Sequence, residues 1–344
     1  MRTINPLDRW RRSRSPLLRQ RQVQLPILLG SLAAITAVIG LKLLGGLEIV
    51  ELKLYDQQLA LRRDYGPDPR LVIIAVTEQD LQRQQHWPFS DRVIAQTIQT
   101  LQQHQPQVIG VDLFRDLPVP PGTQALHATL NTENVIAIFQ LPTAQDPQGV
   151  PPPPVPQEKT AFNDVVLDAD GVVRRALLFA TSEGTAHYSL AFRVSNYVLE
   201  QEQIQPANHP TEPDTILWNA ATLRPLNSTA GGYHRLDARG YQILLNYRTT
   251  GLPATIIPLT DLLAGRYDPT LIQDKIVLIG STAPSLKDLF FTPFYSKRPE
   301  LGGDLPGVLV HAHIVSQLLD AVTGHRSVLR PLPDYLEVLE IIAW

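Results

Sequence analysis

Three short apolar runs follow one another at intervals that leave room for a helix between them: LVIIAV (Leu71 to Val76), VIGVDLF (Val108 to Phe114) and NVIAIFQL (Asn134 to Leu141). None alternates polar with apolar residues, so each suits a strand covered on both faces. Between the first two, Ile94, Ile98 and Leu101 fall at i, i+4 and i+7 of a stretch from Ser90 to Gln103, the spacing of a one-sided helix. Strands alternating with helices imply right-handed crossovers and a parallel sheet. A fourth run, KIVLIG (Lys275 to Gly280), returns to the same pattern much later.

The intervening sequence reads differently. Six prolines lie between Pro147 and Pro156, a stiff, extended stretch taken as a surface loop within one domain. In VVLDADGVVRRALLF, Asp170-Gly171 sits between apolar runs at the spacing of a two-residue hairpin. A helix is expected from about Ala186 to Leu199, then strands near Thr215 to Trp218 and Tyr241 to Tyr247. Hairpins plus one buried strand are not self-sufficient, so the second half should share the first half's core. The expected fold class is α/β: a mostly parallel central sheet with flanking helices and an added antiparallel hairpin region, preceded by one transmembrane helix.

That last element rests on charge. Seven of the first 24 residues are arginine against a single acid, Asp8, and Val23 to Leu41 is then nineteen residues without a charge. About twenty such residues span a bilayer's hydrocarbon. The run is long for a cleaved signal peptide, and Lys42 can snorkel at its end. The positive-inside rule keeps the arginines cytoplasmic. The expected organisation is a cytoplasmic basic segment (1–24), a transmembrane helix (25–45), an extracytoplasmic domain (48–333) and the start of a further helix at Asp334 (334–344). That final helix would lead to further membrane spans, with an effector after Trp344. Glu48 to Arg63 reads as a helix continuing from the membrane, ended by Gly66-Pro67. It and the segment after Pro331 are expected to approach each other at the membrane side.

From Glu48 onward, 22 bases face 32 acids, a net charge of about −10. Such a domain is a poor partner for nucleic acid, whose binding rests on neutralising phosphates. Zero cysteines exclude disulfides, thiolate metal sites and cysteine nucleophiles.

Candidate binding residues lie at predicted strand ends and one helix entry. Ser281 and Thr282 end the KIVLIG strand, where open parallel sheets bind ligands; a plain tight turn explains them as well. The stretch lacks the glycines and lysine of a phosphate loop and the second glycine of a nucleophile turn. Asp112 ends another inner strand, free to hold a ligand or to cap a loop. Asp288 is a lone acid in the segment that follows. Trp87 and Phe89 precede Ser90, the expected N-cap of a helix whose dipole suits Asp91, and can pack locally or stack on a ligand. Asp168-Ala-Asp170-Gly171 lacks the closing glutamate of a calcium loop. His311 and His313 lie at helical spacing and so point to different sides, which disfavours a shared metal. No catalytic residue, metal or cofactor is expected.

In order, WPFSDRVIAQTIQTL with QPQVIGVDLF, FNDVVLDADGVVRRALL, KIVLIGSTAPSLKDLFFTP and PGVLVHAHIVSQLL resemble the type-two CHASE domain, the extracellular sensory module associated with cyclases and histidine kinases. The resemblance runs from about Leu47 to Pro333. It implies an input domain outside the inner membrane, joined to a cytoplasmic kinase or nucleotide cyclase. It assigns no catalytic role and no ligand. The expected partners are an unknown small molecule or protein and the bilayer, with a homodimer as one arrangement. Two other readings stand beside this one. A periplasmic hydrolase would bring Asp112, Asp288 and a histidine within hydrogen-bond reach, and an envelope scaffold would fill the strand ends with side chains.

Overall fold

The computed structural model describes residues 16–144, 146–182, 184–249, 251–294, 304–332 and Leu336. The predicted helix start at Asp334 lies outside the described residues. Helices α1 (Pro16–Leu43) and α2 (Glu48–Ala60) come first. Then follow β1 (Leu71–Val76), α3 (Glu78–Gln84), α4 (Asp91–Gln102), β2 (Val108–Asp112), α5 (Thr123–Leu130), β3 (Val135–Phe139) and β4 (Thr160–Phe162). The middle of the chain forms β5 (Arg175–Ser182), β6 (Thr185–Tyr188), α6 (Leu190–Gln201), β7 (Ala207–Asn208), β8 (Ile216–Trp218), β9 (Ala221–Leu223) and β10 (Tyr241–Leu244). It closes with β11 (Thr255–Pro258), α7 (Leu259–Leu263), β12 (Ile276–Ser281), β13 (Leu289–Phe291), β14 (Asp304–Pro306) and α8 (Gly307–Val322).

The apolar runs form the middle of a six-stranded sheet ordered β11-β1-β12-β2-β3-β4, and each pairing in it is parallel. Every residue of β1, β2, β3 and β12 is buried, as their unbroken apolar sequences require. Alternate residues feed two cores. Leu71, Ile73, Ile276 and Leu278 join one with α6 and α8, while Val72, Ile74, Val277 and Ile279 join the other with α4, α5 and α7. Burying side chains such as Ile73 and Ile74, fully hidden here, is worth roughly 2–3 kcal/mol each relative to leaving them in water.

Antiparallel strands make three smaller sheets, ordered β10-β5-β6, β7-β8-β9 and β13-β14. The hairpin expected at Asp170-Gly171 forms later, between β5 and β6, with Ser182 opposite Thr185. Residues 168–171 do make a turn, closed by the Gly171 N–H on the Asp168 carbonyl at 2.8 Å. Beyond the Asp168 N–H on the Val172 carbonyl at 3.0 Å its flanks do not continue as a pair, and Val172 and Val173 pair with Phe291 of β13 instead. The helix expected from Ala186 begins at Leu190, since residues 185–188 pair with β5 and the Ser189 hydroxyl then accepts the Phe192 N–H as a cap. Ser90 precedes α4 without a side-chain cap. Asp91 accepts hydrogen bonds from the Val119 N–H and the Thr123 hydroxyl, tying down the loop after β2.

The chain divides into two compact units. The larger comprises residues 54–227 and 237–330, so the proline-rich stretch lies inside it. The smaller holds residues up to Lys53, residues 228–236 and those from Pro331 on. Within it the Gly231-Gly232 turn touches both ends of the domain: a Cβ on Gly232 would sit 2.8 Å from that of Glu51, and one on Gly231 would sit 3.2 Å from Pro331. The start of α2 and Pro331 therefore lie at one turn. Among the described residues no single helix is long and apolar enough to cross a membrane. Leu29–Leu43 and Glu48–Ala60 pass that test only as a pair bent by 86°. Instead of continuing α1, α2 turns at Gly45, whose φ of +77° suits glycine.

Candidate functional site

The sheet's carboxyl edge gathers an acidic cluster. Asp112 is the last residue of β2, in register with Gly280 of β12, and is only 8% exposed. Its neighbour is Asn163, the first residue after β4, whose amide donates to the Asp112 Oδ1 at 3.1 Å. Next in sequence, the Asp164 carboxylate accepts the Leu141 N–H at 3.0 Å.

Two glycines let α8 close the other side. A Cβ on Gly280 would lie 2.6 Å from the Cβ of Val308, so the first turn of α8 rests directly on the end of β12. A Cβ on Gly307 would lie 2.7 Å from both carboxylate oxygens of Asp288. Asp288 thus covers the N-terminus of α8, where a negative charge suits the helix dipole. One turn further in, His311 is 2% exposed and its Nδ1 has no hydrogen-bond partner.

Electrostatics tie these groups together. Burial pushes the Asp112 carboxyl up to about 6, with the Asn163 amide pulling slightly the other way. Asp288 also rises to about 6, through burial first and then the negative charge of Asp112, against the pull of His311 and the Gly307 N–H. Asp164 is raised by burial, partly offset by the Leu141 N–H and by His311. Burial lowers His311 to about 4, although Asp288, the Asn163 backbone and Asp164 all favour its charged form. Burial thus favours the neutral imidazole even though Asp288 and Asp164 lie near it.

Of the predicted residues, Asp112 and Asp288 come together here. Ser281 lies beside them in the strand register, but its hydroxyl accepts the Ala283 N–H at 3.1 Å. The Thr282 N–H donates to the Val76 carbonyl at 2.9 Å. Both serve the strand's exit turn. Trp87 packs edge-to-face on buried Phe89 with ring centroids 5.1 Å apart, and no described contact joins it to the cluster. Asn163, Asp164 and His311 were not singled out as binding residues from the sequence. The histidine was weighed only as half of a metal pair, and α8 does separate it from His313, whose Nδ1 accepts the Arg248 N–H while its ring lies against Tyr247. Among the described residues no group of three acidic or histidine side chains is arranged to hold a metal ion.

A second ionic cluster is organised oppositely. Arg174, with a side chain 1% exposed, grips Asp56 of α2 through Nε (2.7 Å) and Nη2 (2.8 Å), and also reaches Asp168 (2.8 Å) and Asp170 (2.7 Å). Arg175 pairs with the other oxygen of Asp168 at 2.7 Å. Burial alone would weaken the Arg174 charge, but its bonds to Asp56, Asp170 and Asp168 outweigh that and hold it well above its usual range. The two clusters are linked by a short path. Asp288 leads directly into β13, where Phe291 bridges Val172 and accepts the Val173 N–H at 2.8 Å, and Arg174 follows.

The domain thus carries ionisable groups at the carboxyl edge of its parallel sheet and, just before β5, a buried arginine bonded to α2. A family model described as the CHASE2 domain matches residues 33–344, nearly the whole chain. The protein belongs to the CHASE2 family, whose members are extracellular sensory domains rather than catalysts. No curated protein and no solved structure matches the chain significantly.

Proposed function

We propose that this chain is the input part of a membrane receptor. The basic segment is cytoplasmic, residues 25–45 cross the inner membrane, and residues 48–333 lie outside, sensing a small ligand or partner for a kinase or cyclase effector. The arginine-rich flank and the uncharged run support that topology. The observation that carries the reading is the link from Asp288 through β13 and Val173 to Arg174 and Asp56. Anything that moves Asp288 pulls on β13, which is bonded to Val173, and the next residue, Arg174, grips Asp56 of α2, the helix next to the membrane segment. Signalling then requires a ligand to favour one of two arrangements of this path over the other. The hydrolase alternative lacks support: His311 Nδ1 has no partner, and no described hydrogen bond joins it to Asp112 or Asp288.

Two measurements test the proposal. The protein has no cysteine, so single cysteines report cleanly. Arg239→Cys, at a side chain 90% exposed, should react with a membrane-impermeant maleimide from outside the inner membrane, whereas Arg12→Cys should not. The reverse pattern would sink the topology. In the full chain reconstituted in nanodiscs, Asp288→Asn should change amide exchange in α2, and a silent α2 would favour a scaffold.

A further inference from the structure

We infer, on the topology proposed above, that the outward face of α2 rests on the outer surface of the bilayer, so that this helix lies in the plane of the membrane. Aliphatic residues occur on two sides of α2. Leu52 and Leu59, seven apart, are buried. Ile49, Val50, Lys53 and Leu54 lie at i, i+1, i+4 and i+5, on the other side of the helix. The three aliphatic members of that arc each leave more than half of their surface exposed, and so do Leu43 and Leu44 at the end of α1. Five large aliphatic side chains within twelve residues thus have no cover from the rest of the chain.

Two observations say what covers them. The two helices are bent by 86° at the turn between them, so with α1 within about 20° of the membrane normal, α2 runs near the plane of the surface. Lys42, in the last turn of α1, marks the level at which a snorkelling ammonium meets the headgroups. That ammonium bonds the Glu51 carboxylate at 2.8 Å, which holds the first turns of α2 at the same level. The pairing also neutralises Glu51, and the exposed arc itself carries Lys53 but no acid. Aliphatic side chains with a lysine among them match the boundary between acyl chains and phosphate headgroups. A second copy of the chain fits less well. A standard protein interface takes about 20–30 residues a side, far more than this arc holds, and a parallel pairing of α2 with itself would set like charges together at Lys53.

Nitroxide labels test this in the full chain, reconstituted in nanodiscs of phosphatidylcholine and phosphatidylglycerol. Power saturation compares oxygen, which concentrates in the bilayer, with a nickel chelate, which stays in water. The chain has no native cysteine, so Ala34→Cys, Val50→Cys, Leu54→Cys and Arg239→Cys each carry one label. Labels at positions 50 and 54 should respond more to oxygen than to nickel, at a depth of about 5–10 Å, and the label at 239 should respond in the reverse order. Water-like responses at 50 and 54 overturn the inference. Dipolar broadening between copies at position 50 also overturns it, because a second chain would then be the cover. Position 34, within α1, separates the two ideas. If its label is deep while those at 50 and 54 are in water, the membrane span stands and the surface contact fails. If its label is in water while those at 50 and 54 are shallowly inserted, the surface contact stands and the span fails.

Discussion

The domain treats buried acids in two opposite ways. Beneath the sheet's amino edge, near the start of β1, Asp68 and Asp320 are met by Arg70, Arg248 and Arg326, and the Ser316 hydroxyl donates to Asp68 at 2.7 Å. Burial alone would raise the Asp68 carboxyl, yet the Arg70 hydrogen bond and charge hold it below the usual carboxylate range. Arg174 and Arg175 answer Asp56, Asp168 and Asp170 in the same manner. At the carboxyl edge, Asp112, Asp164 and Asp288 have a neutral histidine instead, and burial raises all three. Paired networks fix the positions of elements; unpaired ionisable groups at a strand edge are where function collects.

Removing a partner from the first kind should be costly. Arg174→Ala leaves Asp56 of α2 and Asp170 without their ion-pair partner and Asp168 with Arg175 alone, and should lower unfolding free energy by about 3–5 kcal/mol, the range for breaking a buried ion pair. Denaturant titration of the full chain measures it. A loss under about 1 kcal/mol would mean that the Arg174 network is not what holds α2. Asp320→Asn should come next, at about 2–4 kcal/mol, because Arg70, Arg248 and Arg326 all bond that one carboxylate. Gly280→Ala at the carboxyl edge should cost about 1–3 kcal/mol by pushing Val308 and the first turn of α8 off β12.

Much of the sheet was legible because its cause is local. A strand buried on both faces must be continuously apolar, and LVIIAV coincides with β1 residue for residue. His311 and His313 were rightly placed on a helix, and α8 is buried along its whole length. The site was half legible. Asp112 and Asp288 stood out as acids beside apolar strands, but they meet only because β2 and β12 are neighbours and Gly307 admits a carboxylate, and neither fact has a local signature. Ser281 and Thr282 read equally as a plain tight turn and as ligand contacts, and the structure puts the Ser281 hydroxyl on the Ala283 N–H and the Thr282 N–H on the Val76 carbonyl. The misplaced hairpin has a similar cause. Asp170-Gly171 does turn, but Val172 and Val173 beyond it pair with Phe291 of β13, a partner distant in sequence.

The gentlest test of the contrast changes no packing. Asp112→Asn keeps shape and the Asn163 contact while removing the charge that burial opposes. A carboxyl raised from 3.8 in the unfolded chain to about 6 in the fold binds its proton more tightly when folded. Its ionisation therefore destabilises progressively as pH rises from about 4, and the full penalty is present above about 6. The variant should gain about 1–3 kcal/mol at pH 7 and little at pH 4, where the folded carboxyl is neutral and the unfolded one only about half ionised. Asp68 runs the other way: its lowered carboxyl stabilises the fold above the unfolded value of 3.8, and that contribution is lost as pH falls through the folded value. Asp68→Asn should thus destabilise most at neutral pH and converge with the parent in strong acid. Urea titrations at pH 4 and pH 7 read both. Opposite signs at neutral pH would establish that the carboxyl edge gives up stability by burying an acid without a countercharge; equal signs would show the two regions to be electrostatically alike.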